Sequence, residues 1–495
     1  MKRKSGILLH ITSLPSKYGV GDFGAEAYKF VDSLVETGCK IWQILPLGPI
    51  GPGNSPYQAY SAYAGDFLFI SPDELLLWDL LCDDDLKDVP LFYPENVEYE
   101  KVAQWKTQIL KIAFNRFRSG VNGQLQNEFL GFCNEHDWWL NDYALFRSCQ
   151  EKFDYLPWNE WPDEVSKRSP VELEILSLKL HEDIDFEKFV QFMFFRQWFR
   201  LKEYANRKGV TIFGDMPLYV AHNSSDVWAN QQMFMLDNKG NPTMVGGVPP
   251  DYFSEDGQLW GNPLFNWDKL AETEYQWWLA RLYFNFHLFN LVRIDHFRGL
   301  ESFWAIPANS ETAKNGSWVA AKGDAILSIL KSRMDYLPIV AEDLGIITPE
   351  VDALRKKFDL PGMKVLQFAF SSDASNEHLP HNYDQNQVVY TATHDNNTTL
   401  AWFEELDDEE KEKVIDYLFI DNRDVVRSLI ELAWSSVAEM VIVPIQDLLG
   451  MGAEGRMNTP GIASGNWEWR CTQAQLAKLN TAYVKILNEK YNRNE

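Results

Sequence analysis

Cysteine is scarce in this 495-residue chain: Cys39, Cys82, Cys133, Cys149 and Cys471 are odd in number and show no metal-ligand spacing. That pattern excludes a disulfide framework and a cysteine-built zinc site, and it fits a reducing, cytoplasmic compartment. Basic residues are in deficit too, Lys+Arg 46 against Asp+Glu 71, for a net charge of -25. Such a chain disfavours nucleic acid and anionic membrane surfaces as partners and leaves neutral ligands open. No apolar stretch approaches a membrane span, and the first one is broken by His10 and Pro15, too short for a secretory signal. Internal repeats and low-complexity tracts are missing.

What the chain does have is apolar and aromatic mass: 45% hydrophobic and 14% aromatic residues, with Trp 19. Tryptophan at that level serves either the core or flat platforms for groups such as sugar rings. The length suggests about three domains, or one barrel carrying insertions. Eight short, almost continuously apolar segments recur: Gly6 to His10, Ile41 to Leu47, Val210 to Pro217, Leu291 to His296, Pro338 to Leu344, Met363 to Phe370, Val388 to His394 and Met440 to Gln446. Strands buried on both faces read this way. Helical patterns lie between them, at Gly24 to Gly38, Phe186 to Lys208, Trp267 to Phe289, Ala321 to Met334, Thr348 to Phe358 and Gln473 to Lys490. The alternation predicts an α/β fold, a (β/α)₈ TIM barrel, formed by residues 1–47 and 186–495.

Two stretches interrupt the alternation. Residues 48–185 hold aromatic helical patterns and the acidic run Asp83 to Asp85, and are expected to form an inserted, mainly helical subdomain. Residues 219–263, rich in Gly, Pro and Asn, are expected to form a long loop insertion over the catalytic face. Tyr252, Phe253, Leu259 and Trp260 make that loop too apolar for a disordered excursion.

Catalytic residues of such barrels sit at the C-terminal ends of the strands, where the chain places Asp215, Asp295, Glu342 with Asp343, and His394 with Asp395. Strand alternation puts Arg293 on the same side as Asp295, a guanidinium that favours the carboxylate anion a nucleophile requires. Glu342 follows Ile339, Val340 and Ala341 with no basic residue nearby, so burial would raise its pKa toward that of a general acid. Asp395, among His394, Asn396 and Asn397, suits gripping sugar hydroxyls. Paired carboxyls of unlike character are what retaining glycoside chemistry uses. The competing expectation for each carboxylate alone is a structural ion pair.

The segments GILLHITSLPSKYGVGDFG, SPYQAYSAYAGD, GDMPLYV, VRIDHFRG, VAEDLG, PGMKVLQFAF, TATHDNNT and IQDLLGMGAEGRMNTPGIASGNWEWR resemble the amylomaltase family of 4-α-glucanotransferases, or disproportionating enzymes. VRIDHFRG and VAEDLG are shared with the wider α-amylase superfamily. The resemblance implies a nucleophile at Asp295, an acid/base at Glu342 and a transition-state stabiliser at Asp395, with substrate-binding positions at Tyr57, Asp215, Asp251, Trp260, Arg293 and His394. It also implies no metal or other cofactor, and malto-oligosaccharides and α-1,4-glucans as partners. Ile11, Gly455 and the segment VAAKGDAIL depart from the family pattern.

Three rival readings stand beside that one: an α-1,4-glucan hydrolase with the same site, a metal-dependent barrel enzyme and a non-catalytic glucan-binding protein. The metal reading is weakened if each histidine adjoins its aspartate within a strand, because the two then face opposite ways. The non-catalytic reading is weakened by the presence of all three carboxylates.

Overall fold

A computed structural model describes residues 3–120, 122–250, 255–420 and 424–494. Its centre is a sheet of eight parallel strands, one in or across each expected segment: Lys4–Leu8, Ile41–Gln43, Thr211–Met216, Leu291–Ile294, Ile339–Ala341, Gly362–Val365, Gln387–Tyr390 and Met440–Pro444. Each strand but the fifth pairs with the next in sequence, and the eighth returns to the first through Lys4↔Met440 to Leu8↔Pro444. The fifth and sixth are bridged by the Ala341 N–H donating to the Pro361 carbonyl (2.9 Å), so the sheet closes into a barrel. Residues such as Val292, Val340, Val389, Val441 and Ile442 are fully buried, which is why these strands lack an alternating pattern.

The helices follow their sequence signals where those are strong. Ala25–Thr37 stops at Gly38, whose φ of 80° is the left-handed conformation that glycine adopts without a steric penalty. Pro349–Lys357 begins with proline in its first turn. The pattern from Trp267 to Phe289, by contrast, is two helices, Trp267–Glu272 and Gln276–Leu288. Glu274 and Tyr275 break it with φ of 51° and 58°. The tail pattern likewise divides into Gln473–Leu476 and Thr481–Lys490.

Between the second and third strands the chain forms the helices Tyr99–Arg118, Gly123–Glu135, Asp137–Lys152 and Pro170–Lys179, then the long helix His181–Arg207 that leads back to the barrel. Trp139, Phe146, Phe189 and Phe195 of this region belong to one apolar cluster continuous with the barrel core.

The stretch expected to be a long loop carries regular structure. Met244–Val248 and Gln258–Pro263 pair antiparallel, and the first of them also pairs with Ser302–Pro307, which in turn pairs with Ser317–Ala320. The segment from Leu291 to Trp304 is therefore not one element. It supplies a barrel strand, a 3₁₀ turn at Phe297–Leu300 and the start of a strand in this second sheet. Among the described residues no helix is long and apolar enough to cross a membrane.

Candidate active site

The carboxylates picked out at the strand ends converge. Asp215, in the third strand, is in register with Arg293 of the fourth. The guanidinium of Arg293 donates from Nη1 to Asp215 Oδ2 (2.7 Å) and from Nη2 to Asp295 Oδ1 (2.8 Å). One buried cation therefore serves two carboxylates, both on the face that strand alternation assigns. Tyr57, carried in by the segment after the second strand, donates its hydroxyl proton to Asp215 Oδ2 (2.9 Å) and lies 2.9 Å from His394 Nε2. With the phenol proton committed to a carboxylate, the His394 ring supplies the proton on Nε2 and is the Nε2–H tautomer. Burial lowers the His394 pKa and keeps that ring neutral. Its plane stacks on Tyr57 at 5.3 Å and 14°. Trp467 closes the group at 5.8 Å from Tyr57 and 5.9 Å from His394.

Glu342 is held by backbone rather than by a cation. The His296 N–H donates to its Oε2 (2.7 Å) and the Leu344 N–H to its Oε1 (2.9 Å). His296 reaches that position through a left-handed turn, φ 51°, directly after Asp295. Asp395 accepts a bond from Asn458 Nδ2 at its Oδ1 (2.6 Å), and its Oδ2 lies 3.4 Å from His394 Nε2. Below this loop Asp447 is wholly enclosed. It accepts from the hydroxyls of Thr391 and Thr399 (2.6 Å each) and from the Thr399 N–H (2.8 Å), pinning both ends of the stretch that carries His394 and Asp395.

Electrostatics depart from the sequence expectation at one carboxyl. Burial is the largest influence on Glu342 and raises its pKa, against the opposing pull of Arg293 and the two N–H donors. Asp295, expected to be biased toward the anion, is also raised, to about 8, by burial and by the charges of Asp215, Glu342 and Asp395. Arg293 opposes this but divides its charge with Asp215. Burial disfavours the charged form of Arg293, yet Asp215 and Asp295 outweigh it and hold the guanidinium protonated. Burial thus raises both carboxyls, and the charge of Glu342 raises Asp295 further, so the titration of one depends on the state of the other.

Trp260 stands beside the turn after Asp295, its ring edge-on to His296 at 4.8 Å. Asp251, expected to bind substrate, lies outside the described residues, as do Tyr252 and Phe253. The expectation that each histidine faces away from its aspartate fails for His394. The seventh strand ends at Tyr390, so residues 391–395 are loop and strand alternation no longer applies. Among the described residues no group of three or more His, Cys, Asp or Glu side chains stands where it could hold a metal ion. Asn458, Asp447 and Trp467 were not singled out in the sequence. The motifs RMNTPG and GNWEWR signalled Asn458 and Trp467 only as family markers, not as neighbours of Asp395 and Tyr57.

A family model described as 4-alpha-glucanotransferase matches residues 9–476. The chain belongs to the 4-alpha-glucanotransferase family. It is 48% identical over 496 residues to the 4-alpha-glucanotransferase of Synechocystis sp., covering 99% of this chain and 98% of that one. It is 45% identical to the Thermus thermophilus 4-alpha-glucanotransferase, covering 99% of each. Among solved structures, the amylomaltase from Streptococcus agalactiae in complex with acarbose superposes with a TM-score of 0.97 at 38% identity, over 100% of both chains. The barrel is thus the fold of this glucanotransferase family, with the second sheet as part of it.

Proposed function

We propose that this chain is a retaining 4-α-glucanotransferase that moves α-1,4-glucan segments from a donor to the 4-OH of an acceptor glucan or glucose. The observation that carries the mechanism is the unlike support of two carboxyls at neighbouring strand ends. Asp295 is bonded to a guanidinium, whereas the Glu342 side chain, among the described residues, is bonded to backbone amides. When Glu342 is protonated, one of the negative charges raising Asp295 disappears and Arg293 favours Asp295 as the anion. Glu342 then protonates the glycosidic oxygen while Asp295 Oδ attacks the anomeric carbon, breaking the C1–O bond and forming a glycosyl ester. In the second half, Glu342 takes the proton from the 4-OH of the acceptor, whose oxygen displaces Asp295.

Asp395, oriented by Asn458, is assigned to hold sugar hydroxyls at the ring under attack, where hydrogen bonds strengthen in the transition state. Asp215, Tyr57, Arg293 and His394 form one bonded chain beneath the same sugar and fix its position. Trp260, beside His296, is assigned to the acceptor side. Transfer exceeds hydrolysis when that acceptor is held in place and water is kept from the ester. A cytoplasmic location is in keeping with the five unpaired cysteines.

Purified protein with maltotriose tests the reading. A ladder of longer oligosaccharides plus glucose, at constant total reducing ends, is expected. Steadily rising reducing ends would instead mean a hydrolase. Asp295→Asn and Glu342→Gln are each expected to lose several orders of magnitude in rate.

A further inference from the structure

The turn after the fourth barrel strand and the loop after the fifth are fastened to each other at three points. Two are backbone donors, the His296 N–H to Glu342 Oε2 (2.7 Å) and the Phe297 N–H to the Glu342 carbonyl (3.1 Å). The third is Arg298. Its Nη1 donates to the Ile346 carbonyl, and its Nη2 lies 3.4 Å from Ser302 Oγ. The guanidinium carbon sits 3.6 Å from the ring centre of Trp318, in the outermost strand of the second sheet.

This is an expensive place for a charge. Arg298 is only 5% exposed and burial lowers its pKa; the one carboxylate that opposes this, Glu301, makes no direct ion pair with it among the described residues and reaches it through Ser302. A buried guanidinium carried by a carbonyl and an aromatic face calls for a reason beyond packing. The reason lies in what Ile346 is attached to. Between Glu342 and Ile346 the chain makes a short loop through Gly345, φ 86°, and among the described residues the Leu344 N–H of that loop is one of two donors on the Glu342 side chain. Fixing the Ile346 carbonyl fixes the loop end, and with it that donor.

We propose that Arg298 is a positioning residue for Glu342: clamped between Trp318 and the Ile346 carbonyl, it keeps the Leu344 N–H on the acid/base carboxyl. The inference rests on the reading of Glu342 as the acid/base. It gives the second sheet a part in catalysis, since Trp318 is the surface against which the clamp is held.

The consequence is directional. An N–H bonded to a carboxylate favours its ionised form, so slackening this loop raises the Glu342 pKa beyond where burial and the Asp395 charge, opposed by Arg293, already put it. Glu342 must be protonated when the donor bond breaks, so kcat/KM declines as pH rises through that pKa. A higher pKa moves the decline to higher pH. Misorientation of the carboxyl lowers the rate itself, and misplacement on the order of 1 Å can cost up to about 100-fold.

The test is kcat/KM for maltotriose between about pH 5 and 9 for the full-length Arg298→Ala, Arg298→Lys and Trp318→Ala proteins, with thermal melts of each. Arg298→Ala is expected to lose about 10- to 100-fold at its optimum, with its basic limb shifted upward by about half a pH unit or more. Guanidinium ion at millimolar concentration is expected to restore part of the rate. Arg298→Lys and Trp318→Ala are expected to shift the limb the same way by less, and they decide the matter if Arg298→Ala does not fold. Folded variants with a lowered melting temperature but an unchanged pH profile and rate would overturn the proposal, leaving Arg298 a structural residue. Glu342→Gln run alongside separates the two levels: an active Glu342→Gln removes the acid/base assignment itself, whereas an inactive one beside unaffected Arg298 variants removes only the clamp.

Discussion

Replacing the Asp295 carboxyl should make this protein more stable, and the gain should grow with pH. The Asp295 carboxyl sits at about 8 in the fold instead of its ordinary 3.8, with burial the largest cause. Below pH 4 both folded and unfolded chains hold its proton. Between pH 4 and 8 the unfolded chain has released it and the fold retains it, so the folded state binds more protons and stability falls as pH rises across that window. At about 1.4 kcal/mol per pH unit, roughly three units of the window lie below pH 7, an upper bound of about 4 kcal/mol. The side chain is 30% exposed. Solvent screening and the loss of attraction to Arg293 in Asp295→Asn reduce the expected gain to about 2 kcal/mol. With an unfolding entropy of about 2 cal/mol/K per residue, a chain of this length gains about 2 °C in Tm. Scanning calorimetry of the variant and the parent at pH 4, 6 and 8 should show no gain at the lowest pH and the largest at the highest. A gain of equal size at all three, or a variant less stable throughout, would refute the argument that burial of a charge is stored at this carboxyl.

Three further outcomes follow from the same contacts. Tyr57→Phe removes the proton donated to Asp215 and leaves His394 Nε2–H without its acceptor, so kcat/KM for maltotriose should fall about 10- to 100-fold, with Tm lowered by no more than a few degrees. Asp447→Asn cannot accept from Thr391, Thr399 Oγ1 and the Thr399 N–H at once, and should cost about 1–3 kcal/mol in denaturant unfolding while weakening substrate affinity through the His394–Asp395 loop. Trp260→Ala strips the ring beside His296, and the ratio of new reducing ends to transferred product should rise, because the acceptor loses a surface while water does not.

The barrel was readable because its strands are buried on both sides, so each stands out as a short apolar run ending in polar residues. The carboxylates that converge at the strand ends were readable for the same reason, since the end of such a run is where this architecture exposes side chains. The second sheet was not. Its strands come from two stretches separated by the fourth barrel strand, and Met244–Val248, with Gly246 and Gly247, looks like loop until Ser302–Pro307 is laid beside it. The break at Glu274 and Tyr275 left no mark either, because neither residue type announces a positive φ. Within the site, single-residue chemistry was legible and pairing was not. Tyr57 and Asp215, or Asn458 and Asp395, meet only once the barrel has closed. The Asp295 pKa is raised despite Arg293 because the sequence shows that guanidinium next to it but neither the burial of the carboxyl nor the share of the cation that Asp215 takes.

The pairing of the first strand with the eighth has a consequence for the chain as it is made. Lys4 cannot meet Met440 until more than four hundred further residues have left the ribosome, which at typical elongation rates takes about 20–90 s. Throughout that interval the nascent sheet presents an unpaired backbone edge of the kind that recruits other strands. Biogenesis of this enzyme is therefore governed at its seam, and holding that edge apart from other nascent chains is the service a folding helper would have to perform.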